Sequence, residues 1–302
     1  MRYSVTVRAP ATTANLGPGF DALGLALDLW NETSFTVEGE AVRLEIMGEG
    51  NDQLLDNEEN LILRAMRRVY EVCRHPFPAG LRIRAQNRIP WNAGLGSSAA
   101  AIVSGLLAAN ALLDQPLSTG ELLRLATQLE GHPDNAAPAL LGGLTVALRE
   151  AGEVIARLLP WHPFHVTVIV PDFSLPTRTA RKVLPPHVSL SQTSQHIARA
   201  ILVTRAFAEG DLDLLRQVMY DELHQPHRLP LIPGAVEALR AAERLGAAVA
   251  LSGAGPSLIA FSLSAMPDLA KEMQEAFRHA GLISRCYHLE ITSECAQVLP
   301  VT

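Results

Sequence analysis

An uncharged, glycine-rich turn set between a strand and a long apolar segment is the feature that most constrains this chain. Pro90 to Ala100 reads PWNAGLGSSAA; it follows an alternating strand pattern and runs directly into the apolar segment from Ala101 to Leu113. Such a turn lets backbone amides converge on a helix N-terminus, where unpaired N–H groups and the positive end of the helix dipole favour phosphate. The sequence therefore predicts an anion cradle here, or a turn that serves close packing alone.

The lysine content decides which phosphate-binding machinery is possible. The 302-residue chain has two lysines, Lys182 and Lys271, so the rest of its 25 basic residues are arginines. A Walker A loop needs Gly-Lys followed by Ser or Thr, and no lysine precedes position 182. P-loop and protein-kinase mechanisms are therefore excluded.

Composition narrows the class of protein further. The net charge of −6 argues against nucleic acid or an anionic membrane as the main partner, and 48% hydrophobic with 19% charged residues is typical of a folded soluble chain. Cys73, Cys286 and Cys295 lie far apart without a CxxC pair, which favours reduced thiols. The N-terminus lacks the pattern of a signal peptide. We predict a cytoplasmic protein that binds neither nucleic acid nor membrane.

Two uncharged stretches, 89–113 and 245–267, exceed the roughly 20 residues that span a bilayer. Glycine, serine and proline interrupt both stretches internally, which is typical of a strand, a tight turn and a further element. We therefore expect both to be buried core rather than membrane spans.

Strands and helices are predicted in both halves of the chain. Alternating apolar residues predict strands near 3–7, 42–46 and 81–86, and further strands are predicted near 142–148, 166–170 and 249–251. Apolar residues every three or four positions predict a helix near 60–72, and a capping box at Ser118 and Glu121 predicts one over 118–130. Further helices are predicted near 101–113, 197–207, 236–245 and 269–280. The fold class is therefore α+β. The length indicates two domains, and the proline-rich joint 160–163 divides them into 1–160 and 161–302.

Three further segments carry polar residues suited to a ligand. PATTANLGPGFD, at 10–21, offers Asn15 and Asp21 beside two glycines, with an Asx-capped turn as the alternative. EGHPDN, at 130–135, offers Glu130 to a divalent cation, and it offers Asp134 either to a ligand or as the N-cap of the next helix. LSGAGPS, at 251–257, is a second glycine turn, whose Gly255 could approach a substrate or only turn the chain.

Together the four segments resemble the superfamily named for galactokinase, homoserine kinase, mevalonate kinase and phosphomevalonate kinase, the GHMP kinases. GLGSSA at 94–99 is similar to its phosphate loop, and SGAGPS at 252–257 resembles its C-terminal glycine motif. The resemblance implies a two-domain α+β fold. The N-terminal, nucleotide-binding half would resemble ribosomal protein S5 domain 2 with a left-handed βαβ crossover, and the C-terminal, substrate-side half would be ferredoxin-like.

Within the superfamily, PATTANLGPGFDALGLAL at 10–27 and EGHPDNAAPALLGG at 130–143 resemble the homoserine kinase family. Several other branches place a lysine in the first motif, whereas this chain has Asn15 there. The resemblance implies transfer of the γ-phosphoryl group of ATP to the side-chain hydroxyl of L-homoserine, giving O-phospho-L-homoserine for threonine biosynthesis. Mg²⁺ is the implied metal, and a homodimer is expected from the family.

The resemblance also implies a role for individual residues. Ser98 and Glu130 would hold Mg²⁺, and Asn60 would lie near the nucleotide base. The residues expected to wrap the phosphates are Pro90, Trp91, Asn92, Ala93, Gly94, Leu95, Gly96, Ser97, Ser98, Ala99 and Ala100. The residues expected to bind the amino acid are Asn15, Asp21, Asp134, Thr177, Arg181, Arg228 and Gly255. Asp134 and Asn135 would act at the reacting hydroxyl, Asp134 as a positioning group or as a base.

Arg181 and Arg228 have a physical reason to be there, because a guanidinium fork suits a carboxylate, although solvated surface charge is the alternative. The pairs His162 and His165, and His224 and His227, are given no metal, since intervening prolines disfavour a shared helical face. His132 is given no chemistry, because shaping the loop would account for it. Two other functions stay open. One is another GHMP alcohol kinase, and the other is a nucleotide-binding regulator that has lost catalysis.

Overall fold

Two β-sheets flanked by helices form the protein in a computed structural model that describes residues 3–52, 57 and 59–300. The strands are β1 (Ser4–Asn15), β2 (Gly19–Thr36), β3 (Val42–Gly48), β4 (Leu81–Asn87), β5 (Leu144–Glu150), β6 (Glu153–Leu159), β7 (His165–Pro171), β8 (Ala248–Leu251), β9 (Leu258–Ser262), β10 (Ser284–Leu289) and β11 (Gln297–Leu299). The helices are α1 (Leu61–Val72), α2 (Ser97–Leu112), α3 (Thr119–Glu130), α4 (Ala136–Leu141), α5 (Thr177–Lys182), α6 (Leu190–Glu209), α7 (Leu212–Val218), α8 (Gln225–Arg228), α9 (Ala235–Arg244) and α10 (Pro267–His279), with a 3₁₀ turn at Leu229–Leu231.

The first sheet has the order β11-β1-β2-β4-β3, and β5 pairs with both β2 and β6. Strand β2 is long enough to pair with two neighbours on one side, with β5 near its beginning and with β4 near its end. Strands β3 and β4 are parallel and are joined through α1, which makes a βαβ unit. The left-handed form predicted for the crossover stays a prediction.

Helix α2 is the centre of the first half. It carries no charged residue and no distinct polar face, and most of its residues are buried against the sheet and against neighbouring helices. A helix that is predominantly apolar all round belongs in a core. Gly105 lets it approach α1 closely, because a Cβ at this position would lie 2.4 Å from the backbone oxygen of Ile62. No helix among the described residues is long and apolar enough to cross a bilayer.

The second sheet has the order β10-β7-β9-β8, and each pair in it is antiparallel. In chain order this is 4-1-3-2, with helices after the first and third strands, which is the ferredoxin-like arrangement. Helices α9 and α10 pack together over the sheet and bury Ala238, Met273 and Phe277. The predicted fold of the C-terminal half is confirmed.

The α+β class and the capping box of α3 are confirmed, since Ser118 accepts from the Glu121 amide and Glu121 accepts from the Ser118 amide. Several strands are longer than their alternation suggests; β1 continues through the uncharged PATTAN segment to Asn15. The division at 160 stays a prediction, although β11 returns from the chain end to pair with β1.

Candidate active site

The loops that follow β1, β4, α3 and β8 meet at a cavity of about 310 Å³. Helix α5 and the end of α8 close its other side. Most of the predicted site residues line this cavity: Asn15, Asp21, Asn60, Trp91, Asn92, Ala93, Gly94, Gly96, Ser97, Ser98, Ala100, Glu130, Asp134, Asn135, Thr177, Arg181, Arg228 and Gly255. The structure thus brings together residues that lie up to 240 positions apart in the chain.

Pro90, Leu95 and Ala99 are buried and do not line the cavity. The Leu95 carbonyl accepts from the Thr12 amide at 3.1 Å, which ties the glycine-rich turn to β1. The contact of these three residues with phosphate stays a prediction. The hydrogen bond to Leu95 holds the turn against β1, on the side away from the cavity.

The glycine-rich turn ends in a helix N-terminus without a side-chain cap. Gly96 is the N-cap residue of α2 in the left-handed conformation (φ 67°), so the first amides of α2 receive no side-chain cap. A Cβ at Gly96 would lie 1.9 Å from Thr12 Oγ1, and one at Gly94 would lie 2.2 Å from the Ser252 oxygen. Glycine is therefore required at both positions by space and by backbone angle. Uncapped amides at the positive end of a buried helix form an anion site.

The second glycine turn, 252–257, holds the first in place. Ser252 donates its hydroxyl to the Gly94 carbonyl at 2.7 Å, and the Ser257 amide donates to the Ala93 carbonyl. The Gly253 amide donates to the Ala14 carbonyl at 3.1 Å. The SGAGPS motif therefore links the two halves of the protein behind the anion site, and Gly253, Ala254 and Gly255 also line the cavity.

Ser98 and Glu130 meet beside the anion site. The Ser98 hydroxyl donates to Glu130 Oε1 at 2.5 Å, although the residues are 32 positions apart. Burial raises the pKa of Glu130, while the Ser98 hydrogen bond acts in the opposite direction. A hydroxyl and a carboxylate next to a phosphate cradle match the oxygen ligands of Mg²⁺, which takes one or two protein oxygens and completes its shell with phosphate and water. These two residues therefore fit the predicted metal.

Asp134 does not cap α4, which contradicts one of the two roles considered for it. The N-cap residue is Asn135, and the buried Asp134 carboxylate pairs with His132, whose Nδ1 lies 2.6 Å from Asp134 Oδ1. Burial alone would lower the pKa of His132, but the hydrogen bond and the charge of Asp134 outweigh it and raise that pKa. Sequence reasoning gave His132 no chemistry; its spacing of two residues from Asp134 within one short loop is the signal that could have found it.

Asn135 faces the same space from the start of α4. Its Oδ1 accepts from the Thr12 hydroxyl at 2.9 Å, so β1 fixes the orientation of the amide. Both residues are buried. A buried, oriented amide beside the Asp134 carboxylate can bind a substrate hydroxyl.

Asp21 and Arg181 form a two-bond ion pair across the cavity, with nitrogen–oxygen distances of 2.9 and 2.7 Å. The loop before Asp21 is held by Asn15, which accepts from the Asp21 amide and donates to the Gly253 carbonyl at 2.8 Å. Asn15 and Asp21 both have positive φ angles (73° and 55°), a conformation that Asn and Asp tolerate better than most residues. The hydrogen bond from Arg181 to Asp21 raises the pKa of Arg181.

Arg228 is buried to 98%, which is exceptional for an arginine. Its guanidinium donates to the carbonyls of Ala180 and Gly253 at 3.1 and 3.3 Å. Burial lowers the pKa of Arg228 to about 10, and the neighbouring Arg181 acts in the same direction. The group is still charged at neutral pH, so two cations share one end of the cavity. The alternative of solvated surface charge is therefore wrong for Arg228.

The opposite end of the cavity carries polar residues that sequence reasoning missed. Asn31 and Thr33 stand two positions apart on β2 and are buried, and Asn87 lies at the end of β4. Asn31 Oδ1 accepts from the amides of Arg88 and Ile89 and so orients the entry to the glycine-rich turn. Asn60, predicted near the base, lines the same end and caps α1 through the Ile62 amide. The sequence signal that could have identified Asn31 and Thr33 is their position as polar residues at alternate positions of one strand.

Similarity to known proteins shows the family of this chain. Residues 60–143 match the family described as the GHMP kinases N terminal domain, and residues 203–281 match the GHMP kinases C terminal family. The homoserine kinase of Moorella thermoacetica is 48% identical over 279 residues, which cover 91% of this chain and 93% of that protein. The homoserine kinase of Synechococcus sp. is 43% identical, with 97% of each chain covered.

Solved structures extend the similarity to the whole fold. The crystal structure of homoserine kinase from Cytophaga hutchinsonii matches with a TM-score of 0.86 at 30% identity, covering 99% of this chain and 98% of that one. Mevalonate kinase of L. major, at 14% identity and a TM-score of 0.69 over 95% of this chain and 96% of that one, shares the fold. With both domains matched and relatives at this identity and coverage, the chain belongs to the homoserine kinase family of the GHMP kinases.

Proposed function

We propose that this protein transfers the γ-phosphoryl group of ATP to the side-chain hydroxyl of L-homoserine and releases O-phospho-L-homoserine and ADP. One observation carries the proposal. A single cavity joins an uncapped helix N-terminus, beside Ser98 and Glu130, to a cluster of Asp21, Asp134 and two arginines. The first part suits phosphate, and the second suits a small molecule with both a carboxylate and an ammonium group.

The nucleotide would lie with its phosphates on the glycine-rich turn and its base at the end lined by Asn60, Asn31 and Asn87. The amides at the start of α2 would face the phosphate oxygens. Ser98 and Glu130 would hold Mg²⁺, which when bound would neutralise charge on the phosphate oxygens.

The amino acid would lie at the cationic end. The carboxylate would bind Arg228, whose buried and oriented guanidinium is held by backbone carbonyls, together with Arg181. Asp21 and Asn15 would receive the ammonium group, and Thr177 would add a hydrogen bond. Asp21 and Arg181 already pair with each other, so binding would exchange part of this ion pair for contacts with the two charged ends of the substrate.

The substrate hydroxyl would then lie beside Asp134 and Asn135. Its oxygen forms a bond to the γ-phosphorus while the bond from that phosphorus to the β–γ bridging oxygen breaks, and ADP leaves. The reaction depends mainly on positioning, because the transition state is loose and carries most of its charge on the phosphoryl oxygens. The Asp134 carboxylate, which pairs with His132, would accept a hydrogen bond from the hydroxyl, and as the base it would take up the hydroxyl proton as the bond to phosphorus forms.

The test is ADP release with Mg-ATP in the presence of L-homoserine, mevalonate, galactose or no acceptor. Turnover that depends on homoserine supports the proposal. Turnover with an alcohol that lacks the carboxylate and ammonium groups would favour another GHMP alcohol kinase, and ATP binding without any acceptor-dependent turnover would favour a regulator. Either result would refute the proposal.

A further inference from the structure

The buried Arg228 contacts His224, a histidine that has no role in the sequence motifs or in the proposed mechanism. Arg228 Nη1 lies 3.3 Å from His224 Nδ1, one turn earlier at the start of α8. The His224 side chain is fully buried and its Nε2 lies 2.9 Å from the Gly17 carbonyl. His224 therefore stands between the arginine and the loop that carries Asn15 and Asp21.

The partners of the imidazole determine its protonation. A guanidinium N–H can only donate, so His224 Nδ1 must present its lone pair to Arg228, and Nε2 must carry the proton that it donates to Gly17. The groups facing the ring agree with a neutral imidazole. Asp221 lies on one side, but it already accepts from the amides of Leu223, His224 and Gln225, while Arg228 and His196 are basic neighbours.

Phe20 and the Gly253 carbonyl contact the Arg228 guanidinium on its other sides. The Phe20 ring stacks on His224, with centroids 5.2 Å apart, and lies 5.3 Å from the centre of the Arg228 guanidinium. The Gly253 carbonyl accepts from both Asn15 and Arg228. It therefore forms a second link, besides His224, between Arg228 and the loop that carries Asn15 and Asp21. Within the described residues, Arg228 Nη2 makes no hydrogen bond, so this nitrogen is left to a ligand of the cavity that Arg228 lines.

We infer that His224 is a positioning residue for carboxylate binding: its neutral imidazole accepts a hydrogen bond from Arg228, donates one to Gly17, and so holds the guanidinium in register with the loop of Asn15 and Asp21. The inference rests on the proposed function, since it assigns Arg228 to the substrate carboxylate. His224 does not touch the substrate, and its effect passes through Arg228.

Two substitutions separate the two hydrogen bonds. In H224N the amide oxygen takes the place of Nδ1 and can still accept from Arg228, whereas in H224Q the terminal amide reaches the place of Nε2 and the acceptor for Arg228 is lost. Loss of a hydrogen bond to a charged group is worth about 10-fold to 100-fold in binding. We expect H224Q to raise the KM for homoserine by about this factor with the KM for ATP within about twofold, and H224N to recover most of the loss.

His227→Gln is the matched control, since His227 lies on the same short helix and does not line the cavity. It should leave both KM values unchanged. In an R228M background, H224Q should have little further effect on kcat/KM for homoserine, because its effect passes through the arginine.

Three results would overturn the inference. They are an unchanged KM for homoserine in H224Q, an equal rise in the KM values of both substrates, and a H224Q protein that fails to fold while H224N folds. Wild-type protein without homoserine turnover would instead refute the proposed function, and this inference with it. The wild-type assay therefore distinguishes the two failures.

Discussion

Gly24 offers a direct test of how closely the Asp134 backbone must be positioned. This residue lies in β2 and does not have a positive φ angle, so alanine can adopt its backbone conformation without strain. Its added Cβ would, however, lie 1.8 Å from the Asp134 carbonyl oxygen and 2.8 Å from Pro138 Cγ. Because non-bonded atoms rest at about 3.5 Å, β2 and the loop of Asp134 would have to separate by roughly 1.5 Å.

The expected effect of Gly24→Ala is mainly on catalysis. A misplacement of about 1 Å can cost about 100-fold in rate, so we expect kcat for homoserine to fall by about that factor. Overpacking should also reduce the free energy of unfolding by about 1–3 kcal/mol. ATP affinity should change by less than about twofold, since a Cβ at Gly24 would contact the Asp134 loop rather than the glycine-rich turn.

The assay measures kcat and KM for homoserine, ATP affinity by titration, and unfolding by denaturant. Gly120→Ala is the control, because a Cβ at Gly120 on α3 has nothing within 4 Å. It should leave kcat unchanged and stabilise the helix by about 0.5–1 kcal/mol. Wild-type kcat in Gly24→Ala, or a fall in kcat matched by an equal fall in ATP affinity, would refute the reasoning.

Three further predictions follow from the site and its supports. Asp134→Asn should lower kcat and weaken homoserine binding while leaving ATP affinity intact, and a titration showing lost ATP affinity would contradict the assigned role. Burial lowers the pKa of His224 from 6.5 to about 4, so the unfolded chain takes up this proton first as the pH falls. The contribution of the neutral His224 to the free energy of unfolding is therefore present above pH 6.5 and is lost as the pH falls to about 4, by up to about 3 kcal/mol. Denaturant unfolding at several pH values should show a smaller loss of stability on acidification in H224Q than in the wild type. An equal dependence of stability on pH in the two proteins would exclude the assignment. Ser118→Ala removes the capping box of α3 and should reduce the free energy of unfolding by about 1 kcal/mol with unchanged kinetics; a change in KM would show that α3 acts on the site.

Local features of the sequence predicted what depends on local chemistry. The glycine-rich turn before an apolar helix predicted an anion site, because helix amides and glycine angles act within a few residues. The capping box placed the start of α3, and the near absence of lysine excluded the P-loop mechanism. The resemblance added the family, the substrate and most of the residues that line the cavity.

The sequence could not assign residues whose role arises from contacts between distant segments. His224 looked like an ordinary histidine, and its contact with the Gly17 carbonyl joins segments 207 positions apart. Asn31 and Thr33 belong to no motif, and only the fold shows that both are buried and line the cavity.

The sequence by itself determined the α+β class, the glycine-rich turn before α2 and the family, since these follow from periodicity, turn chemistry and motif spelling. Only the tertiary structure decided that Asp21 pairs with Arg181 over 160 positions and that Arg228 is buried while most other arginines are not. The physical reason is that burial and charge pairing are set by which segments pack together. A residue's desolvation and partners are therefore properties of the folded chain, and the cationic end of this site exists only once β1, α5, α8 and the turn after β8 have met.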